Sequence, residues 1–440
     1  MKKLNITFCS FPDYAGNAKA LYEYMIKRYK DNMNYTWIVY NELTVKILKE
    51  KGIKAILIGT DEFRKYIPKT NVFFTTHANL AGDKIKAKNS VYIELWHGIG
   101  PKPVGFLTEN LSAKDMRWYN FLKETIDYVI VPSELWRSLM SAMFNINVQR
   151  ILPLGLPLLD EIKNSNGKEN LSKVLNTDVN KYNKIIMYMP TFKNGCGRKN
   201  ESKYNENNIL NFYDYSDEDL IEYLKENNYL LIVKRHPSDE SKYINIENNY
   251  IKNIDNNMLN KLGLNVNSIL NAGDLLITDY SSVGAEFSFL DKPVIYVATD
   301  LEEYTENRGI ILKDYDFWTE KNYCFSYDEL ISKINLYIGK KKRIKNRKEL
   351  YGNLQNGGCE QICNFLFENF NISTNVKKYK SELLELRNRS NSQAEIIKGQ
   401  VETIKKLTES DIELNLIKNS KEWKLLEKLR KIIKFAKNKL

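Results

Sequence analysis

Short apolar runs alternating with amphipathic stretches fill the first 150 positions. LNITFC, YTWIVY, AILIG, NVFFTT and VYIELW have the composition of strands, whereas Ala15 to Tyr29 and Thr44 to Lys51 carry the three-and-four spacing of helices. Strands this short and this uniformly apolar are buried on both faces, which is the condition of a parallel sheet covered by helices on either side. DYVIVPS followed by ELWRSLMSAM continues the rhythm. The pattern predicts one doubly wound α/β domain over residues 1–155. The stretch ILPLGLPLLDEIKNSNGKENL, with its prolines, glycines and polar run, has the composition of a boundary. Beyond it KIIMYMP, YLLIVKRHP, DLLITDY and PVIYVAT restart the alternation, so a second α/β domain is expected over residues 156–370. Two such domains in tandem imply a cleft between them.

After residue 370 the strands stop. Residues 371–440 read as a basic helical tail, with 17 basic and 9 acidic side chains, an excess of 8 in a chain whose formal net charge is +11. The positive charge thus belongs mainly to the tail. Its last segment places Leu426, Leu429, Ile433, Ala436 and Leu440 at helical spacing, with Lys424, Lys428, Lys431 and Lys434 between them, the pattern of a basic amphipathic helix. Such a helix suits an anionic membrane surface, or it packs on a neighbouring domain or a second subunit, so a homo-oligomer stays open. No apolar run reaches the ~18 residues of a membrane span, and the start has no export-signal pattern. Five scattered cysteines without a CxxC pair fit reduced thiols in a cytosol, with Cys359 and Cys363 as helix neighbours. The expected location is cytoplasmic, peripheral at the inner face of the cell membrane.

Candidate chemistry collects at the carboxyl ends of strands, where open α/β sheets bind their ligands. His97 follows VYIELW in a glycine-bearing loop with Gly98, Gly100, Gly105 and Lys102. An imidazole there can take a proton from an attacking hydroxyl. Lys234, Arg235 and His236 end the next domain's LLIV strand as a basic triplet before Pro237, a donor set suited to a diphosphate. DLLITDYSSVGAEFSFL runs from a buried strand through Thr278, Asp279, Ser281 and Ser282 into an apolar-patterned helix. Either serine is expected to cap that helix and leave its first amides for an anion.

In chain order these blocks are WHGxxxKxxG (Trp96, His97, Gly98, Lys102, Gly105), KxHP (Lys234, His236, Pro237), TDYSS (Thr278 to Ser282), DKP, and RG (Arg308, Gly309). The set resembles the CDP-glycerol glycerophosphotransferase family, the teichoic-acid primases and polymerases of GT-B fold, over about residues 70–365. The resemblance implies two Rossmann-like domains, an acceptor-side one and a CDP-donor-binding one. It implies that His97 and His236 are required for activity, that Ser281 and Ser282 bind the donor's phosphates, and that Arg308 contacts the donor. The family usually has Thr-Pro where this chain has Ile99-Gly100, and Pro-Arg where it has Pro157-Leu158.

The resulting expectation is an enzyme that moves an alditol phosphate, foremost glycerol phosphate, from a CDP-alditol to a hydroxyl of a lipid-linked glycan or polymer acceptor. CMP is released, and the product belongs to teichoic-acid-like or capsular polymers. His97 would be the base, with Lys234, His236, Ser281 and Ser282 holding the diphosphate. No carboxylate cluster suggests a metal cage, so neither an essential metal nor a cofactor is expected. A nucleotide-sugar glycosyltransferase of the same architecture is the rival enzyme. A non-catalytic scaffold using the tail on nucleic acid ranks lowest, because the tail offers few aromatic side chains for base stacking, with Trp423 and Phe435 the pair in its last segment; no nucleic-acid partner is expected.

Overall fold

Among the described residues, thirteen strands form two all-parallel sheets, each wrapped by helices. The computed structural model describes residues 3–30, 33–109, 111–191, 209–210, 212–235, 248–313, 315–352 and 357–370. The first sheet contains β1 (Leu4–Cys9), β2 (Met33–Val39), β3 (Ala55–Leu57), β4 (Val72–Thr75), β5 (Val91–Glu94), β6 (Tyr128–Val131) and β7 (Ile151–Pro153), in the order β3-β2-β1-β4-β5-β6-β7. The second contains β8 (Lys184–Tyr188), β9 (Tyr229–Val233), β10 (Ile251–Asn253), β11 (Leu275–Thr278), β12 (Val294–Val297) and β13 (Tyr323–Cys324), in the order β10-β9-β8-β11-β12-β13. This is the two-sheet α/β architecture expected from the alternating pattern.

Burial explains the composition of the strands. Every residue of β4, β5, β6, β11 and β12 is buried, because helices cover both faces of each sheet. In the first sheet Phe8 is stacked between Trp37 and Phe74, with ring centroids 5.5 and 5.3 Å away. Removing a ring of this size from water contributes roughly 2 to 3 kcal/mol. The helices start where the sequence supplies side-chain caps. Asn41, Ser133, Ser216 and Ser326 each accept from an amide of the first turn of the helices Glu42–Glu50, Glu134–Phe144, Asp217–Asn227 and Tyr327–Tyr337.

Strand order reverses between β1 and β4 in the first sheet and between β8 and β11 in the second. A doubly wound sheet opens a crevice at that point, outside the strands' carboxyl ends. The residues that follow these strands are therefore the ones placed to meet a ligand: Phe11 and Thr76 in the first lobe, Met189, Ser281 and Ser282 in the second.

Polar side-chain contacts also tie the lobes together. Lys19, on the helix Gly16–Tyr29, pairs with Glu161 at 2.9 Å and with Glu23 at 3.0 Å. Glu161 also accepts from Ser268 Oγ at 2.9 Å and from Asn265 Nδ2 at 3.3 Å, both in the second lobe. The helix Gly358–Asn369, last among the described residues, returns to the first lobe, where Asp160 accepts from the Gly358 and Cys359 amides and Phe367 meets Tyr29. Cys359 and Cys363 sit buried on this helix as free thiols.

Candidate active site

Glu94 ends β5 and organises the loop that bears His97. It is buried, and its carboxylate accepts from Thr75 Oγ1 at 2.6 Å, the Ala78 amide at 2.9 Å and the Trp96 amide at 3.0 Å. Burial nevertheless raises its pKa to about 7 against these bonds. Asn17 braces the same loop: its amide donates to the Leu95 and Trp96 carbonyls, while its oxygen accepts from the Leu158 amide. Held on both sides, Trp96 adopts a φ of 55°, a left-handed conformation that surrounding contacts must sustain.

The imidazole of His97 is fixed in one tautomer. Its Nδ1 lies 3.0 Å from the Thr76 carbonyl oxygen, which can only accept, so Nδ1 carries the proton and Nε2 keeps the lone pair. The His77 ring stacks on it with centroids 4.0 Å apart and planes 12° apart, and Trp96 flanks it at 4.1 Å. His97 is exposed toward the cleft, while its ring faces lose water to His77 and Trp96. This loss of solvation lowers its pKa to about 4, against a smaller opposing effect from the Thr76 bond. A neutral imidazole with a defined lone pair is a general base in its working form.

From His97 the chain runs straight onto the second lobe. A Cβ on Gly98 would stand 2.6 Å from Glu286 Oε1 and 3.2 Å from Ser282 Oγ, and one on Gly100 would stand 3.1 Å from Ser282 Cα. The Pro101 carbonyl accepts from the Ile311 amide at 2.8 Å, and Gly309 packs near Pro103. Glycine at 100 leaves room for this approach. His97, Lys234, Arg235, Ser281, Ser282 and Glu286 line one cleft of about 270 Å³ between the lobes. Lys234 and Arg235 are buried, and Lys234 Nζ donates to the Arg235 carbonyl at 3.0 Å, so two weakly solvated cations share the cleft lining with the imidazole.

The other expected site residues have different tasks. Thr278 and Asp279 are buried scaffold: Thr278 Oγ1 donates to the Met189 carbonyl at 2.6 Å, and Asp279 accepts from the Thr191 amide at 2.8 Å, joining the ends of β11 and β8. Gly105, at φ 62°, packs where a Cβ would lie 1.9 Å from the Met143 carbonyl oxygen, which makes it a folding glycine. Lys102 and Arg308 are part-buried and do not line the cleft. The expected serine cap is absent. Ser282 precedes the six-residue helix Val283–Ser288 with φ −58° and ψ −25°, already helical, so its hydroxyl makes no cap bond and lies, like Glu286 Oε1, against Gly98. His236 and the tail lysines Lys424, Lys428, Lys431 and Lys434 lie outside the described residues. Glu94, Asn17, His77 and Glu286 are site residues that the sequence reading did not single out. Among the described residues no group of three His, Cys, Asp or Glu is suited to hold a metal.

The chain can now be set beside known proteins. A family model described as CDP-glycerol:poly(glycerophosphate) glycerophosphotransferase matches residues 1–368. The teichoic acid glycerol-phosphate primase of Bacillus subtilis (strain 168) is 30% identical over 372 residues, covering 80% of this chain and 89% of the relative. The teichoic acid poly(glycerol phosphate) polymerase of Bacillus spizizenii (strain ATCC 23059 / NRRL B-14472 / W23) is 26% identical, covering 70% and 77%. The solved structure of the wall teichoic acid polymerase TagF aligns with a TM-score of 0.60 at 21% identity, over 89% of this chain and 90% of that one. This last likeness bears on the fold.

Proposed function

Since the chain belongs to the CDP-glycerol:poly(glycerophosphate) glycerophosphotransferase family, we propose that its cleft binds CDP-glycerol and transfers glycerol phosphate to a hydroxyl of a lipid-linked or polymeric acceptor. The acceptor oxygen attacks the β-phosphorus while His97 Nε2 takes its proton. The bond from the β-phosphorus to the bridging oxygen breaks, CMP leaves with that oxygen, and a new phosphodiester remains. Phosphoryl transfer asks for positioning and charge neutralisation more than for covalent chemistry. Lys234 and Arg235 would balance the diphosphate, and Ser281 and Ser282 would donate to its oxygens.

The observation that carries this reading is the His97 tautomer: with its Nδ1 proton held by Thr76, the ring offers a lone pair in the cleft that also holds Lys234, Arg235 and the two serines. Among the described residues no helix is long and apolar enough to cross a membrane. The basic amphipathic sequence at 424–440 supports peripheral attachment to an anionic surface, where a lipid-linked acceptor is held. The test is product analysis with a saccharide-lipid or poly(glycerol phosphate) acceptor. CMP release from CDP-glycerol that depends on acceptor is expected; release of UDP or GDP from sugar nucleotides, with CDP-glycerol inert, would favour a glycosyltransferase instead.

A further inference from the structure

Among the described residues lining the cleft, Glu286 is an ionisable group to which the transfer reaction as written gives no task. It is only 6% exposed, on the helix Val283–Ser288, and its carboxyl group is a neighbour of the Ser282 hydroxyl. Its Oε1 and Ser282 Oγ both lie against Gly98, the residue next to His97. The groups around it are Ser282 just before its own helix, Gly98 and His97 from the first-lobe loop, Lys234 and Arg235 of its own lobe in the same cleft lining, and Tyr351 from the helix Arg347–Tyr351.

A serine hydroxyl has one proton to donate, and this decides what it can offer a ligand. Beside an ionised Glu286, Ser282 must donate to the carboxylate, and it then turns lone pairs toward the cleft. Beside a neutral Glu286, the acid can donate to Ser282 Oγ, and the serine proton is left for a phosphate oxygen. Resting on the reading that the cleft holds a nucleoside diphosphate, we propose that Glu286 is a positioning residue working as a neutral acid: it donates to Ser282, Ser282 donates to the diphosphate, and ionisation of Glu286 expels the donor. Burial supports this by pushing the pKa of Glu286 up to about 7, and the negative charge of a bound diphosphate raises it further. Donor binding above that pH therefore takes up a proton.

The test is calorimetric binding of CDP-glycerol to the full chain, without acceptor, at pH about 6 and about 8.5, in buffers of different ionisation enthalpy. Both phosphates of CDP-glycerol are diesters, so the ligand itself does not titrate in this range. For wild type, affinity should weaken on the order of tenfold or more between the two pH values, with uptake approaching one proton per donor at the higher. In Glu286→Gln the amide cannot ionise, so the affinity ratio should shrink to within about twofold and the extra proton uptake should vanish. Histidine titration is common to both proteins and cancels in the comparison. A wild-type affinity that is flat across this range without proton uptake overturns the proposal and needs no variant, as does a Gln variant as pH-dependent as wild type. Failure of CDP-glycerol to bind at either pH would instead sink the donor assignment, and this proposal with it.

Discussion

Gly100 of the first lobe and Ser282 of the second approach so closely that a methyl group on the glycine would meet the serine Cα at 3.1 Å. The same loop therefore carries the candidate base at residue 97 and touches the candidate phosphate ligands of the opposite lobe. Base and anion seat are set relative to each other by five residues of backbone, anchored at one end by Glu94 and Asn17 and at the other by the Pro101 to Ile311 hydrogen bond. A pairing this short leaves little freedom for the lobes to move the imidazole away from a bound diphosphate, which is what positioning catalysis requires.

His97→Ala should lower the turnover of CDP-glycerol by roughly 10²- to 10⁴-fold, the usual worth of a general base, while the donor still binds. The pH profile checks the same assignment from the wild-type side. The base must be neutral, and desolvation puts the free ring's pKa at about 4. Activity limited by His97 in the free enzyme should hold as pH falls through 6.5, the ordinary imidazole value, and drop only on approaching 4. The bound diphosphate favours the imidazolium, so the acid limb of kcat should lie at higher pH than that of kcat/KM. Unchanged CMP release by the alanine variant would remove His97 from the mechanism.

Gly105→Ala should destabilise the fold by about 2 kcal/mol or more. The position combines a φ of 62° with a Met143 carbonyl oxygen 1.9 Å from the new Cβ, so strain and steric overlap add. Thermal unfolding would check it, and a melting temperature equal to wild type would contradict the packing described for this loop.

The contrast between Gly105 and Glu286 shows what the sequence makes legible. The apolar runs LNITFC, NVFFTT and KIIMYMP coincide with β1, β4 and β8 because parallel strands buried on both faces must be apolar throughout. The strands ILP, IKN and YC escape the pattern, since two or three residues at a sheet edge carry no periodicity. His97 is visible by its place after a strand in a glycine-bearing loop, but nothing local distinguishes Gly98 and Gly100, which face the other lobe, from Gly105, which packs on its own. Glu94 and Glu286 do leave a trace, as single acids inside VYIELW and VGAEFSFL: an apolar run does not bury a carboxyl group without partners. Thr75 and Ala78 reach Glu94 through the fold, whereas Ser282 stands one helical turn before Glu286. The helix expected after Ser282 keeps its place but not its serine cap, because the backbone at Ser282 is already helical.

Glu161→Ala should cost about 3 kcal/mol of stability. The substitution leaves the Lys19 ammonium, 3% exposed, with Glu23 as its remaining carboxylate, strands the Asn265 Nδ2 donor of the second lobe and leaves Ser268 Oγ only Asn265 Oδ1 as acceptor. A buried ion pair repays little more than its own desolvation, so the double change Lys19→Met with Glu161→Leu should recover the part of that loss due to Lys19 and leave the part due to the Asn265 donor. Denaturant unfolding of the two variants decides. If the single variant is as stable as wild type, the tie between the lobes is not carried by this pair.

Deleting residues 421–440 should release the protein from vesicles containing anionic lipid while leaving CMP release with a water-soluble acceptor intact. The segment lies outside the described residues, so the expectation rests on sequence: Lys424, Lys428, Lys431 and Lys434 alternate with apolar positions at helical spacing. Each lysine near an anionic surface contributes about 1 kcal/mol, screened within a Debye length of roughly 8 Å at physiological salt. Binding of the full chain should therefore weaken steeply as salt rises, whereas attachment through apolar contacts alone would not. A truncated protein that still sediments with vesicles at moderate salt would mean that another surface holds it to the membrane, and the tail lysines would then need a different task, such as pairing with a second subunit.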